Sequence, residues 1–277
     1  MTIKELQELI IENSKLYYTT GQSNLTDNEF DYLVSMLRAY DPQNPILNET
    51  GWGYKVASQT KVKHINGKII GIPDKITPSK VGKWSGSSVY YITPKLDGLS
   101  VISYYEDGRY VGSLTRGDGE YGQNITHHVR HMVPDKLVDE NGNPITGMIR
   151  GEFIINKNKW NMKYASEFKS ARNFGAGLLN RLEISPQIRD FEIVHYSVFD
   201  CYRQLNFKQQ FAILAKNNIN RVSFCELNDI NQLNNETQCR NYLELISGGK
   251  YECDGLVVVT EDNGFKRFAI KWNGEGI

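Results

Sequence analysis

The chain has 277 residues, 40% hydrophobic and 23% charged, the balance of a globular protein with one large domain or a large and a small one. Its 32 Lys plus Arg are matched by 32 Asp plus Glu, which argues against a protein that grips DNA by charge alone; any nucleic-acid contact is local or is made elsewhere. No apolar run approaches the ~18 residues of a membrane span and no signal-peptide pattern opens the chain, so a cytoplasmic protein without a membrane partner is expected.

Residues 2–20 read as a helix: Thr2 and Glu5 make a capping box, and Ile3, Leu6, Leu9, Ile10, Leu16 and Tyr17 recur near helical spacing until Gly21. A second helix opens at Thr26, carries Phe30, Leu33, Met36, Leu37 and Tyr40 as its apolar stripe, and stops at Asp41-Pro42. Around the loop of this hairpin cluster Tyr17, Tyr18, Asp27 and Asp31. Asp27 and Asp31 share a helix face, a small cost in like charge that a helix N-terminus offsets. Residues 42–88, rich in Pro, Gly, Asn, Lys and Ser, read as a linker and approach segment.

From Val89 the pattern turns to strands. Residues 101–105 and 110–114 flank Glu106-Asp107-Gly108, a hairpin signal. Thr115-Arg116-Gly117-Asp118-Gly119 is a Gly-rich turn. Residues 148–154 form a strand around Arg150-Gly151-Glu152, and residues 166–181 hold Arg172-Asn173 and Gly175-Ala176-Gly177. Residues 194–200 read as a strand, 206–218 and 237–247 as helices, and 256–259 and 268–272 as closing strands. Many strands with few helices predict an α+β fold: a helical unit at residues 1–55, then a domain of mostly antiparallel sheets with flanking helices at residues 56–277. Cys201, Cys225, Cys239 and Cys253 lie far apart without a C-x-x-C pair and read as reduced, mostly buried thiols, with no structural zinc.

The chemistry centres on Thr93-Pro94-Lys95-Leu96-Asp97-Gly98, which follows the apolar run 89–92. A lysine at a strand end can be a covalent nucleophile. Alone, K-x-D-G also fits an ordinary strand and turn. In chain order Arg116, Glu152, Arg172, Asp254-Gly255 and Lys271 follow, each expected at a strand end or an adjacent turn. Each alone fits a surface salt bridge. Together they offer an amine nucleophile, cations for an α-phosphate, and carboxylates for a ribose hydroxyl and a divalent metal.

At these residues the chain resembles the NAD-dependent DNA ligases of bacteria and some viruses, over the first two domains of that family: the helical NMN-binding domain and the nucleotidyltransferase (adenylation) domain. The resemblance implies that Lys95 attacks the α-phosphate of NAD, releases NMN and forms lysyl-AMP for transfer to a DNA 5′-phosphate at a nick. It implies that Asp97 belongs to the nucleophile's motif, that Arg116 and Glu152 lie against the ribose, and that Arg172 and Lys271 lie near the phosphate. Asp254 would support the lysine and a metal, for which magnesium is expected. Tyr17, Tyr18, Asp27 and Asp31 resemble the NMN-gripping motif, where aromatics and carboxylates suit the cationic nicotinamide. Ile72, Pro73, Thr93 and Leu96 fall where the family holds the adenine and the nucleophile.

Departures from the family pattern are Thr93 for a glutamate, Phe30 for a tyrosine, Asn180 followed by Arg181 for a second arginine, and Val259 for a phosphate-binding lysine, a loss that Lys266 or another group would have to make good. The oligonucleotide-binding barrel, four-cysteine zinc module and helix-hairpin-helix array of full ligases have no counterpart here. The expectation is therefore a piece of a longer ligase, or one subunit whose partner chain carries those parts and completes the grip on nicked DNA, with little sealing by this chain alone. The rival readings are an ATP-dependent RNA ligase or capping-type nucleotidyltransferase, which shares K-x-D-G, and a non-catalytic NAD-binding subunit.

Overall fold

The computed structural model describes residues 2–20, 24–25, 27–48, 61–65, 67–69, 71–72, 74–261 and 266–272; the side chains of 15, 17–20, 27, 28, 31 and 48 lie outside that description. Helix α1 (Ile3–Thr20) starts on the predicted capping box: the Thr2 amide donates to Glu5 Oε2 at 2.7 Å and the Glu5 amide to Thr2 Oγ1 at 3.2 Å. Helix α2 (Asp27–Tyr40) returns along it, and Leu6, Ile10, Leu33, Val34 and Leu37 bury with Ile46 in a cluster of their own. Each buried side chain of this size contributes ~1.5–3 kcal/mol, which is what holds a hairpin too short to be stable on helix propensity.

Residues 42–88 are more than a linker. They form a 3-10 turn at Pro45–Asn48, strand β1 (Lys61–Lys63), strand β2 (Asp74–Ile76) and a second 3-10 stretch at Pro78–Trp84, whose Val81 is fully buried. Strands of three residues are too short to show a period, and their pairing is supplied by distant parts of the chain.

The rest runs β3 (Tyr90–Leu96), β4 (Leu99–Glu106), β5 (Arg109–Thr115), β6 (Tyr121–Gln123), α3 (Thr126–Val129), β7 (Gly147–Ile155), α4 (Lys157–Lys163), α5 (Ala171–Leu179), β8 (Phe191–Asp200), α6 (Phe207–Lys216), β9 (Cys225–Leu227), α7 (Glu236–Ser247), β10 (Cys253–Thr260) and β11 (Lys266–Ile270). One sheet has the order β2-β11-β10-β3-β9, a second β5-β4-β7-β8, and β1 pairs with β6. Among the described strands every pair is antiparallel except β2 with β11, so the α+β fold of mostly antiparallel sheets is observed.

Period-2 alternation sorts each strand into two faces. In the five-stranded sheet Tyr90, Ile92, Leu256, Val258, Phe268 and Ile270 bury against Val81, Ile230, Leu233 and Cys239. In the four-stranded sheet Val101, Phe153, Ile155 and Ile193 bury against Phe174, Leu178 and Leu179 of α5. Helix α5 is absent from the sequence reading because two glycines lower its propensity. Gly175 is there for contact: a Cβ would come within 2.9 Å of the Phe191 ring. The helix is started instead by Ser170, whose Oγ accepts from the Asn173 amide at 3.2 Å. The cysteines are free, as read, but only Cys239 is buried; Cys225 and Cys253 are half-buried and Cys201 is exposed.

His195 sits inside β8, donates from Nδ1 to the Asn220 carbonyl at 3.0 Å, and burial pushes its pKa down to about 4. The unfolded chain takes up this proton near pH ~6.5 while the folded chain refuses it, so stability falls as pH drops from there towards 4. Wild type is therefore expected to lose about 2 kcal/mol through His195 between pH ~6.5 and ~5, and His195→Gln to lose correspondingly less, measured by thermal unfolding at both pH values. Equal losses in the two proteins would contradict the buried neutral imidazole.

Candidate active site

The opposite faces of the two sheets meet in a third buried cluster, with Tyr91 and Val259 from one and Ile154 and Val194 from the other, and beside it enclose a cleft of about 570 Å³. From the five-stranded sheet come Thr93, Lys95, Val257, Val259, Arg267 and Lys271; from the four-stranded sheet come Ser100, Arg150, Glu152 and Tyr196. Among the described residues seven cationic side chains line the cleft (Lys75, Lys95, Arg116, Arg150, Arg172, Arg267 and Lys271) against two carboxylates, Glu152 and Asp254. A chain of zero net charge thus concentrates positive charge in one concavity, which suits an anion.

Lys95 is the next-to-last residue of β3 and its Nζ lies 2.7 Å and 2.9 Å from the two oxygens of Asp254. Lys271, directly after β11, holds the same carboxylate at 2.6 Å. Local sequence explains the meeting. Pro94 cannot donate to a ladder, and opposite it β10 carries a bulge between Cys253 and Leu256. The bulge contains Asp254-Gly255, and a Cβ on Gly255 would stand 2.2 Å from the Ile270 carbonyl oxygen, so only glycine lets β10 run this close to β11. Burial raises the Asp254 pKa, but the hydrogen bonds from Lys271 and Lys95 outweigh it and hold the carboxyl below its ordinary value.

Asp97 pairs with Arg172, Nη1 to Oδ1 at 2.9 Å, beside the lysine. Arg172 stands in the first turn of α5 and Glu152 in the middle of β7, not at strand ends as expected. Glu152 Oε1 accepts from Ser100 Oγ at 2.7 Å and from Tyr196 OH at 3.2 Å, and burial pushes its pKa up against those bonds. Arg116 follows β5; its backbone is fixed by its amide to the Ser100 carbonyl at 3.2 Å and by His64 Nε2, which donates to the Arg116 carbonyl at 3.1 Å.

Ile72, Thr93 and Leu96 also line the cleft. Pro73 lies outside the described residues, as do the side chains of Tyr17, Tyr18, Asp27 and Asp31, although α1 and α2 carry those four positions. Asn180 lines the cleft, whereas Arg181 turns to Ser185 Oγ at 3.1 Å. Lys266 is exposed and does not line the cleft, while Arg267, directly opposite Val259, does. The sequence reading does not single out Ser100, Tyr196 or Arg267. No local signal marks Tyr196, which stands between His195 and Ser197 in β8; for Arg267, only the strand register discloses it. No group of three or more His, Cys, Asp or Glu able to hold a metal occurs among the described residues. Asp97 and Asp254 are each engaged by cations, so the described side chains do not present a metal cage.

Residues 78–268 match the family of the NAD-dependent DNA ligase adenylation domain. Similar proteins include a DNA ligase of Acanthamoeba polyphaga mimivirus, 29% identical over 94% of this chain and 40% of the relative. A DNA ligase of Treponema pallidum (strain Nichols) is 33% identical over 65% of this chain and 22% of its own length. The chain spans less than half the length of these curated relatives. Among solved structures, an archaeal ATP-dependent RNA ligase superposes with a TM-score of 0.48 at 15% identity, over 77% of this chain and 50% of that one.

Asp254→Asn removes both ion pairs and leaves two ammonium groups facing each other. At neutral pH it is expected to destabilise the protein by ~1–3 kcal/mol, a few degrees in melting temperature. Because the folded carboxyl titrates below its ordinary value, the difference from wild type is full above that ordinary value and shrinks as acid protonates Asp254. A melting difference unchanged from neutral pH to strong acid would contradict the triad.

Proposed function

The chain belongs to the family of NAD-dependent DNA ligase adenylation domains, and from that premise we propose that it transfers AMP from NAD to Lys95. The observation that carries the reading is the amine of Lys95 at the floor of a cation-lined cleft, held by Asp254 and Lys271. In the proposed step Lys95 Nζ, after giving up a proton for which the Asp254 carboxylate is the acceptor in contact, attacks the α-phosphorus. A P–N bond forms, the bond from that phosphorus to the bridging oxygen breaks, and NMN leaves with that oxygen. Lys271 and Arg172 offset the charge that builds on the phosphate. Glu152, oriented by Ser100 and Tyr196, takes a ribose hydroxyl, and Arg116 lies along the same sugar. Magnesium is the divalent ion proposed to accompany NAD; among the described residues the carboxylates form no cage for it.

The two-part organisation at residues 1–55 and 56–277 is proposed with this division of labour: the helical hairpin holds NMN through Tyr17, Tyr18, Asp27 and Asp31. Its separate apolar cluster and the approach of α1 to α5, the helix that carries Arg172, support this. Transfer of AMP to a 5′-phosphate at a DNA nick belongs to the longer ligases that the chain resembles, with their barrel, zinc and helix-hairpin-helix parts supplied in the same or a second chain. A cytoplasmic place in DNA replication and repair follows from that reading.

Incubated with NAD and magnesium, the protein is expected to gain the mass of one AMP, and Lys95→Ala to gain none. Label on another lysine, or a gain from ATP and none from NAD, would overturn the assignment. Asp27→Ala or Tyr18→Ala is expected to slow adenylation from NAD by about 10- to 100-fold, because binding energy on the leaving group orients the phosphate for attack. A variant that melts early yet adenylates at the normal rate would make the hairpin a cap on the fold and not a site.

A further inference from the structure

The cleft continues well past the residues that hold the phosphate and ribose. A chain of proximity runs along it. Lys95 acts electrostatically on Glu152, Glu152 is bonded to Tyr196, and Tyr196 acts on Arg267. Arg267 projects from β11 four residues before Lys271, ~13 Å along an extended strand from the Lys95 end. Directly opposite it is Val259, where the resemblance implies a phosphate-binding cation but which the register sets at this far end, and the neighbouring pair opposite one another are Val257 and Thr93. Val257, Val259 and Phe207 give this end of the cleft apolar walls, and Tyr196 adds an aromatic one. Such walls suit a flat ring, and Arg267 with the buried Thr93 hydroxyl supplies polar groups at its rim.

Resting on the reading of the cleft as a nucleotide site with Lys95 at the α-phosphate, we propose that Arg267 reads the base, donating from its guanidinium to an acceptor on the purine edge. The bond from Arg267 Nη2 to the Gly71 carbonyl, at 3.3 Å, fixes the fork in orientation. Burial and the neighbouring Arg150 hold the Arg267 guanidinium below its ordinary pKa, an environment that an electron-rich ring edge improves. The strand register makes the site transposable. Residues directly opposite in an antiparallel pair have Cβ atoms ~4.5–5.5 Å apart on one face, so a cation moved to position 259 reaches the same end of the cleft.

The test compares wild type, Arg267→Met and the double variant Arg267→Met/Val259→Lys. It measures adenylation kinetics with NAD, inhibition by AMP and by ribose 5-phosphate, and melting temperature. Arg267→Met is expected to raise KM for NAD and the inhibition constant of AMP by about 10- to 100-fold, with kcat within a few-fold and melting unchanged. Inhibition by ribose 5-phosphate, which has no base, stays as in wild type, and Val259→Lys recovers most of the lost affinity. An unchanged KM and AMP inhibition in a variant that still adenylates Lys95 would overturn the inference about Arg267 alone. An equal loss for ribose 5-phosphate would put the cation on the phosphate and overturn it too. A wild-type protein that gains no AMP on Lys95 would overturn the nucleotide site beneath it.

Discussion

The carboxylate of Asp254 between two ammonium groups is the constraint on which the cleft depends. It ties the end of β3 and the residue after β11 to the bulge of β10, so three strands converge on one point. The magnitudes show what the arrangement gives the protein. At ~3 Å and an effective dielectric of ~20, each contact is worth about 5 kcal/mol before desolvation, and removing each ion from water costs several kcal/mol in return. The side chains of Lys95, Asp254 and Lys271 are 20%, 30% and 14% exposed, so the desolvation cost is substantial and the net stabilisation modest. Position is the larger product: an amine held at a known point, facing a cleft that attracts anions.

The charge pattern follows the same logic. Elsewhere lysines and arginines meet carboxylates in ordinary surface pairs, such as Lys4 with Glu8 and Arg240 with Glu236, which are worth little. Inside the cleft, among the described residues, seven cations face two carboxylates. The outward faces of the two sheets bury cores of their own, and the inward faces pack together through Tyr91, Ile154, Val194 and Val259, so the fold is held on both sides of the polar cleft residues. Serine and tyrosine hydroxyls then turn Glu152 from a buried liability into an oriented acceptor.

Much of this was legible before any coordinates. The strands that carry Lys95, Glu152 and Asp254 have local signals: apolar runs that Asp97-Gly98 ends, that Gly147 opens, and that Asp254-Gly255 precedes. The capping box at Thr2 marks a helix start that the structure reproduces, and the helix read from residue 206 is found at Phe207–Lys216. What stayed hidden was non-local. Strands β1 and β2 are three residues long and exist because β6 and β11 pair with them, which no window of sequence can disclose. Helix α5 hides behind two glycines, of which Gly175 lies close against Phe191. Arg267 looks like one of two surface cations beside Lys266 until the register sets it opposite Val259 and into the cleft. The convergence of Lys95 with Asp254 was suggested by motif order, but the Pro94 and bulge geometry that produces it is a property of paired strands.

The central claim, that Lys95 exchanges AMP with a dinucleotide whose other half is NMN, is tested most directly by running the step backwards. Protein carrying AMP is freed of small molecules and given NMN with magnesium in one vessel and pyrophosphate in another. The account predicts that NMN removes the AMP and that one NAD appears for each AMP lost, while pyrophosphate leaves the adduct in place. Release by pyrophosphate with formation of ATP, and none by NMN, would contradict it.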